Sequence, residues 1–534
     1  IEATINNYKM QMMRSFEENE SRAMLYVYSF INGADWADEV QQLDRMSKIT
    51  KQDVVDWANK YLGPESYAIV YKREGKDPNE QKIAAPKITP IVTNRDSQSE
   101  FLTEIQNSKV EPIEPVFVDY KKDMSQFEAQ KGVNVLYKKN ETNDIFTLIY
   151  VFNTGTENDP ALNLAFDYLS YLGTDKMSAE QIASEMYAIA CSFGLSAGTN
   201  QSWIEVSGLS ENMGKAMEIV EGLIAGAQPN EEILQNLKGD MIKSRADAKL
   251  NQSRCFGALQ RYMIYGSDFI RRTTLTDPAL QGLTSEQLLA KIGDLMGKQH
   301  EVLYYGPQDE AEVKAALAAH HKVAADLQPL EKKFSTLQPT DENKVMLAQY
   351  DAKQLYYMQY SNRGEKFDLA ADPQITLYNE YFGGGMNTIV FQEMREARGL
   401  AYSAWANLAI PTNAKGDYYY MAFIATQNDK MQKAIEAFDE IINNMPESEK
   451  AFSIAKEALI SRLRTERTVK DGVLWSYIRM RDLGLTEPRG KQIFEKAQQM
   501  TLADVKAAQE KWVKGRKYVY GILGDIQDLD LNYL

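Results

Sequence analysis

An arginine and a tyrosine seven positions apart, Arg395 and Tyr402, are the residues of this sequence best suited to chemistry on a substrate. A guanidinium can hold a carbonyl or carboxylate oxygen through several donors, and a phenol can donate a hydrogen bond to a developing oxyanion. From spacing alone two interpretations stay open. The pair can face one groove beside a strand edge, or Arg395 is a solvated helix-end cation and Tyr402 a cross-strand packing residue.

The segment around this pair, residues 381–406, reads YFGGGMNTIVFQEMREARGLAYSAWA. Three consecutive glycines, at positions 383–385, predict a turn in which the backbone passes close to a neighbour. Asn387 or Thr388 is expected to cap a helix that runs to about Arg398, and Gly399 ends it. A strand follows at once. No Lys-Ser or Lys-Thr pair follows the glycines, so the turn is not a phosphate-binding loop.

Composition narrows the class of protein. The 534 residues are 44% hydrophobic and 25% charged, which predicts a globular chain of two to four domains. The formal net charge is −15, and there is no concentrated basic run, so nucleic-acid binding is not expected. No apolar stretch approaches the roughly 18 residues of a membrane span.

Cysteine and histidine are scarce. Cys191 and Cys255 lie in apolar stretches interpreted as helical, which favours buried free thiols over a disulfide. His300 precedes a predicted strand, and His320 and His321 end an alanine-rich helix. We expect all three histidines to be surface or cap residues, because a histidine-rich metal site is hard to build from so few.

Internal repeats define the organisation of the chain. Residues 49–73 align without gaps with residues 500–524, at an offset of 451. Residues 210–225 resemble residues 428–443, at an offset of 218. Each copy of the first pair predicts a capped helix followed by a terminal strand. A unit of about 218 residues therefore occurs twice, and a third copy near the N-terminus is incomplete.

The repeats predict four segments. Residues 1–75 are the C-terminal part of a truncated domain, residues 76–115 a proline-containing linker, residues 116–325 one complete domain and residues 335–534 another. Because Ile1 opens in a mid-helix pattern, the chain is expected to be part of a longer parent.

Each complete unit is expected to be α+β, with helices packed on one face of a mostly antiparallel sheet. In the first unit residues 133–140 and 145–155 are predicted to be paired strands, and residues 178–194 a helix. Helices are also predicted over residues 213–227 and 231–249. The tyrosines at positions 418–420 are interpreted as sheet packing.

The segment 381–406 resembles the substrate-binding signature of the pitrilysin/insulinase family of zinc metallopeptidases. That family consists of four homologous α+β domains in two halves, which are joined by a linker and close as a clamshell. The resemblance covers the whole chain, as the end of the second domain followed by the third and fourth domains. It implies that Arg395 and Tyr402 bind peptide substrate, and that Tyr402 also stabilises the transition state.

In the family, zinc is bound in the first domain by an inverted His-x-x-Glu-His motif. The corresponding positions of the first complete unit here hold Leu164, Asp167 and Tyr168, so this chain is expected to bind no zinc. The resemblance therefore implies the non-zinc-binding, C-terminal part of a zinc endopeptidase, whose partner is the N-terminal zinc-bearing half. The chain alone is expected to be inactive. The alternative is a catalytically inactive scaffold or partner subunit of the same fold. The resemblance to this family suggests the periplasm or cell envelope as the location.

Overall fold

The computed structural model describes residues 1–75, 99–525 and 527, without the side chain of Gln106. Two compact units are present. The smaller unit contains Ile1 and residues 35–114, and the larger unit contains residues 2–34 and 115–534. Of the predicted linker 76–115, residues 76–98 lie outside the described residues, and the last part contains a helix. The four predicted segment boundaries stay a prediction.

The larger unit contains every strand and most helices. The strands are β1 (Ser125–Gln130), β2 (Val133–Lys139), β3 (Ile145–Phe152), β4 (Cys191–Ala197), β5 (Ser202–Leu209), β6 (His300–Gly306), β7 (Lys344–Gln349), β8 (Gln354–Ser361), β9 (Ser403–Ala409), β10 (Tyr419–Gln427) and β11 (Val519–Gly524). The α-helices of the described residues are α1 (Glu2–Phe16), α2 (Asn19–Asn32), α3 (Trp36–Val40), α4 (Gln42–Met46), α5 (Lys51–Tyr61), α6 (Glu100–Asn107), α7 (Leu162–Leu169), α8 (Ala179–Ala188), α9 (Met213–Gly226), α10 (Glu231–Lys249), α11 (Gln252–Thr273), α12 (Asp277–Gly282), α13 (Ser285–Met296), α14 (Glu310–His320), α15 (Asp372–Phe382), α16 (Ile389–Phe391), α17 (Met431–Asn443), α18 (Glu449–Thr465), α19 (Gly472–Asp482), α20 (Arg489–Ala497) and α21 (Leu502–Ala508). Two π-helical turns, Gln392–Ala397 and Gln509–Val513, extend α16 and α21.

Two mixed sheets form the framework. The first sheet has the strand order β1-β2-β6-β3-β5-β4, and the second has the order β7-β11-β8-β10-β9. Only the β2–β6 and β7–β11 pairs are parallel among the described strands. The expected α+β class with mostly antiparallel sheets is confirmed.

One face of each sheet packs against helices of its own repeat. In the first sheet this core includes α7, α9 and α13, and in the second it includes α15, α17 and α21. Helices α9 and α10 begin 218 residues before α17 and α18, which is the offset of the sequence repeat. The predicted helices over residues 213–227 and 231–249 are confirmed to within one residue. Tyr418 and Tyr420 are fully buried in the second sheet, as predicted.

The other face of each sheet is covered by a helix from the other repeat. Helix α19 packs Val473, Leu474 and Ile478 onto the first sheet, where they meet the buried residues Met124, Leu136, Ile149, Val151 and Leu303. Helix α11 packs onto β8 and β11 of the second sheet, with Phe256 and Met263 in the contact. Phe256 and Leu474 are 218 residues apart, so the two covering helices are counterparts. Both sheets are therefore buried on both faces.

Three details differ from the sequence predictions. The predicted strands 133–140 and 145–155 exist as β2 and β3, but β6 lies between them, so they are not paired. Strand β6 follows β3 by about 150 residues, so the sequence around β2 and β3 does not indicate that β6 lies between them. The predicted helix 178–194 ends at Ala188, and Cys191 begins strand β4 rather than lying in a helix. Cys191 is nevertheless a buried free thiol, and Cys255 in α11 is a free, partly buried one.

The two aligned copies at 49–73 and 500–524 share their helix start but not their strand. Thr50 with Asp53, and Thr501 with Asp504, form the same capping box. Residues 519–524 form β11 between two neighbouring strands, whereas residues 67–73 form no strand within the described part of the chain. Local sequence is sufficient for a capped helix, but a strand exists only where a neighbouring strand pairs with it.

The expectation that all three histidines are surface or cap residues is wrong for two of them. His300 is the first residue of β6 and is 5% exposed, and His321 directly follows α14 and is 1% exposed. The residue that follows α14 lies beside the start of β6, where the two imidazole rings are 5.0 Å apart and cover each other. His320, between them in the chain, is partly exposed. Among the described residues no helix is both long and apolar enough to cross a bilayer.

Replacing Leu474 with alanine tests the exchanged helix. Because Leu474 is fully buried against the first sheet, the cavity should lower the free energy of unfolding by about 2–5 kcal/mol. Guanidinium denaturation measures this loss. Val469→Ala, at a position 55% exposed just before the same helix, is the control and should change stability by no more than about 0.5 kcal/mol. Equal effects of the two substitutions would contradict the described packing.

Candidate substrate-binding site

The glycine turn after α15 lies against the edge strand β9. The amide of Ala406 donates to the carbonyl of Gly383 at 2.9 Å, and the Asn379 side chain bonds both the amide and the carbonyl of Leu408. A Cβ at Gly383 would collide with the Ala406 carbonyl oxygen, whereas a Cβ at Gly384 would meet open space. The predicted close backbone approach is confirmed, and Gly383 is the residue that makes it.

The helix that carries the arginine is short and ends in a wide turn. Thr388, not Asn387, is the N-cap, and its hydroxyl donates to the carbonyl of Gly385 at 2.7 Å. The α-helical part contains only three residues before the backbone widens into a π-helical turn. Gly399 ends the turn with φ +58°, as expected, and the next amide bonds back to Met394. Such wide turns are frequent at functional sites.

The turn places the Arg395 guanidinium between two aromatic rings. Its central carbon lies 4.9 Å from the centre of the Phe391 ring and 5.6 Å from the centre of the Tyr402 ring. Contacts of this length are attractive cation–π interactions and hold the guanidinium in place. Tyr402 is 76% exposed, so it is not packed within the sheet. The structure therefore brings together the two residues that the sequence singled out, at the start of an edge strand.

Arg398, three residues later, has a different environment. Its guanidinium bonds Glu440 of α17 at 2.8 Å and lies 3.5 Å from Glu393. The hydrogen bond to Glu440 raises the pKa of Arg398 above its ordinary value. The carboxylate recorded nearest Arg395 is that of its neighbour Glu396, at 3.7 Å. Arg398 thus fastens the helix end to α17, while Arg395 presents its donors to solvent beside Tyr402.

A groove of about 770 Å³ opens beside this pair. The glycine turn and Thr388 form one wall, the side chains of β9 including Trp405 form the floor, and Ile454 and Ala458 of α18 form the other wall. Phe391 belongs to both features, because it lines the groove and stacks on Arg395. The site can therefore hold an extended, partly apolar chain along β9, with a cation and a phenol at one end.

Sequence reasoning missed Phe391. Its spacing of four residues before Arg395 on a predicted helix is the signal that could have identified it, since such residues lie on one helix face.

The positions that correspond to the zinc motif do not fit a metal. Leu164 and Tyr168 are buried in the core of the first repeat, and the Tyr168 hydroxyl donates to the hydroxyl of Ser285 at 2.8 Å. Burial raises the pKa of Asp167, and its carboxylate accepts from Asn163. Within residues 1–75 and 99–525, no group of three or more His, Cys, Asp or Glu side chains is arranged to hold a metal ion.

Comparison with known proteins gives a family match over part of the chain. Residues 297–459, which include the glycine turn, Arg395 and Tyr402, match the model of the peptidase M16 inactive domain. This stretch, less than a third of the chain, resembles a peptidase M16 inactive domain. The resemblance to a family of zinc peptidases is thereby confirmed, and the matched stretch contains the whole of the site described above.

Curated proteins that this chain resembles are named zinc proteases. An uncharacterized zinc protease of Streptomyces coelicolor is 23% identical over 269 residues, which is 47% of this chain and 56% of that protein. Another, from Rickettsia bellii, is 24% identical over 56% of this chain and 70% of its own length. The chain thus spans little more than half of the Streptomyces relative.

Solved structures share the fold. The peptidase M16 inactive domain from Pseudomonas fluorescens covers 75% of this chain and 97% of its own, with 19% identity and a TM-score of 0.60. The periplasmic protease PqqL from Escherichia coli also has a TM-score of 0.60, at 15% identity, and matches 97% of this chain with 60% of its own. The ferredoxin protease FusC, solved with Arabidopsis ferredoxin, matches 95% of this chain with 58% of its own, at 12% identity and a TM-score of 0.60.

The contact between the glycine turn and β9 gives a matched pair of variants. Gly383→Ala should lower the free energy of unfolding by about 1–3 kcal/mol, because the new methyl group displaces the Ala406 carbonyl. Gly384→Ala should have a much smaller effect, because its Cβ meets nothing within 4 Å. Thermal denaturation of both variants measures the difference. If Gly384→Ala is the more destabilising of the two, the described turn is wrong.

Proposed function

We propose that this chain is the C-terminal, non-zinc-binding part of a zinc-dependent endopeptidase, and that it binds peptide substrate at Arg395 and Tyr402. The observation that carries the proposal is the Arg395 guanidinium stacked on Phe391 and Tyr402, with Phe391 also lining the groove beside β9. Its location within the M16 match, and the names of the curated relatives, support the same conclusion.

Arg395 is proposed to fix the register of the bound peptide. Its planar guanidinium can donate to a backbone carbonyl or a terminal carboxylate of the substrate. The two rings that stack on it reduce the side-chain freedom that would otherwise be lost on binding. Because Arg398 is already bonded to Glu440, it is not the residue that performs this role.

Tyr402 is proposed to donate its hydroxyl to the carbonyl oxygen under attack. The phenol is exposed, and its ring is held beside the positive charge of Arg395. A donor aimed at the position where negative charge develops lowers the barrier more than it strengthens substrate binding. The zinc chemistry belongs to the other half of the parent, since the residues at positions 164, 167 and 168 do not fit the metal.

The helix α2 offers a surface for that other half. Helices α2 and α19 end at Gly33 and Gly484, which are 451 residues apart and both left-handed. Whereas α19 covers the first sheet, α2 leaves Val27, Phe30 and Ile31 exposed, with Phe30 at 87%. We assign this apolar stripe to contact with a sheet of the N-terminal, zinc-bearing half.

The competing function is a catalytically inactive scaffold or partner subunit. The observation in its favour is that the matched family model is itself that of an inactive domain. The two functions differ in what Arg395 and Tyr402 must do, because a scaffold has no need of either group.

The chain alone should not cleave peptides. An internally quenched peptide incubated with it and added Zn²⁺ is expected to give no hydrolysis above the buffer control, because no described residue supplies an activated water. The same assay on a longer parent that contains the N-terminal half should show activity that a chelator removes. Zinc-dependent cleavage by the chain alone would contradict the proposed division of roles.

Substitutions at the site should then separate an enzyme from a scaffold. In the longer parent, Tyr402→Phe and Arg395→Ala should each lower kcat/KM at least about tenfold, which corresponds to about 1.4 kcal/mol of transition-state stabilisation. For Tyr402→Phe most of the loss should be in kcat. Lys433→Ala, which removes an exposed positive charge from α17, is the control and should leave kcat/KM unchanged. An active parent that is indifferent to Tyr402→Phe and Arg395→Ala would exclude this site, and an inactive parent would favour the scaffold.

A further inference from the structure

The two buried histidines belong to a continuous chain of hydrogen bonds in the first repeat. His300 Nδ1 lies 2.8 Å from the carbonyl oxygen of Lys298, and the Nε2 atoms of His300 and His321 are 2.8 Å apart. His321 Nδ1 lies 2.5 Å from Glu221 Oε1. The chain links β6, the end of α14 and the middle of α9. These hydrogen bonds are remote in sequence from Arg395 and Tyr402, and a role for them does not depend on the proposed peptidase function.

The geometry fixes most of the proton positions. A carbonyl only accepts, so Nδ1 of His300 must carry a proton and donate to Lys298. Neutral His300 then has a bare Nε2, which accepts the Nε2 proton of His321. The remaining proton is shared between His321 Nδ1 and Glu221, and whichever of them holds it, this pair has no net charge. One proton per hydrogen bond therefore satisfies all three hydrogen bonds between Lys298, His300, His321 and Glu221.

The surroundings leave little room for an extra charge. The ring of Phe152 lies 4.7 Å from that of His300, and the ring of Tyr150 lies 4.1 Å from that of His321. The Tyr150 hydroxyl is buried and has no hydrogen-bond partner among the described residues. Burial and the nearby Glu221 carboxylate raise its pKa well above the ordinary value, so it stays neutral. Only Glu221 is partly open to solvent, with 13% of its side chain exposed.

Groups from α9, β3 and β1 face the two histidines. Glu221 faces them from α9 and Tyr150 faces them from β3. From β1, the neutral amide of Gln130 donates to the His321 carbonyl. His320 points elsewhere, towards Gly214 of α9. Glu221 is therefore the carboxylate that faces the two imidazoles.

We propose that Glu221, His321 and His300 form an acid-sensitive latch, which fastens α9 and the segment after α14 to β6 at neutral pH and releases them when one more proton enters. While His321 keeps its own proton at Nε2, a second proton on His300 would set two N–H groups against each other between the Nε2 atoms. It would also place an uncompensated positive charge in the core. Both effects break the link between the imidazoles.

The segment released by the latch connects the two repeats. After His321 the polypeptide is attached a second time near the start of β6. There the Gln299 amide donates to the Gln328 carbonyl, and the Gln328 amide donates to the Gly297 carbonyl. Lys332 then bonds Asp482 of α19 at 2.6 Å. Opening of the latch would therefore loosen one attachment of α19 to the first repeat, while the apolar contacts of that helix remain.

The direction of the pH effect follows from the lowered pKa of His300. Burial, with the nearby His321, lowers the pKa of His300 from 6.5 to about 4. Because the pKa of His300 is lower in the closed form than in the open form, the closed form keeps its full stability above pH 6.5. It becomes less stable as the pH falls towards 4. The gap of about 2.5 pH units corresponds to a change of up to roughly 300-fold in the opening equilibrium.

Hydrogen exchange of the full chain between pH 8 and pH 4, corrected for the intrinsic pH dependence of exchange, tests the latch. Amides of residues 297–330 should lose up to roughly 300-fold of their protection as the pH falls, while β8 and β10 of the second sheet stay protected. His320→Gln is the matched control and should behave like the unmodified chain. His300→Gln, whose side chain can still accept from His321 and donate to Lys298, should remove the pH dependence.

Three results would overturn the latch. They are equal protection of residues 297–330 at pH 8 and pH 4, an unchanged pH dependence in His300→Gln, and simultaneous loss of protection in both sheets. Should His300→Gln fail to fold, NMR titration of the unmodified chain gives the answer, since its three imidazole Cε1–H signals can be followed separately and that of His320 is assigned by His320→Gln. A His300 signal that titrates near pH 6.5, as an exposed imidazole does, would also exclude the latch.

Discussion

The structure of the larger unit depends on one constraint, which is that each of its sheets is apolar on both faces. Helices of the same repeat can cover only one face, because the connections that return to the sheet all lie on that side. The second face is covered by α19 on the first sheet and by α11 on the second, and each of these helices comes from the other repeat. Neither repeat can therefore bury its core alone. The kink at Gly266, where φ is +76°, lets α11 follow the second sheet and then turn away from it.

The candidate site depends on the same framework. Covering both faces of the second sheet leaves β9 as an edge strand with one side open, and the glycine turn after α15 satisfies part of that edge through the Ala406 amide. The π-helical turn then returns the chain to the start of β9, with Arg395 stacked on Phe391 and Tyr402. The salt bridge from Arg398 to Glu440 fixes the helix end to α17. A cation and a phenol are thus held at an exposed edge by groups that are themselves packed.

Features encoded by neighbouring residues could be predicted from the sequence. Capped helices such as α10, the close approach at Gly383 and the ending of the π-helical turn at Gly399 are examples, because each depends on a few consecutive residues. Features that depend on distant residues could not. The insertion of β6 between β2 and β3 is one, and the meeting of His300 with His321 and Glu221 is another.

The candidate site also combines features that the sequence predicts with features that it does not. Arg395 and Tyr402 were identified by their spacing and by the family signature, and their roles stay proposals. The stacking of Phe391 on Arg395 was missed because it depends on where a side chain points rather than on residue type.

The exchange of α11 and α19 also bears on how such a chain can change during evolution. A gene segment that encoded one repeat alone, moved into another protein by recombination, would carry a covering helix for a sheet that it had left behind. It would also leave an apolar face of its own sheet open to water, where it invites aggregation. The pair of repeats, rather than the single one, is therefore the smallest piece that can be inherited, duplicated or transplanted as a folded whole.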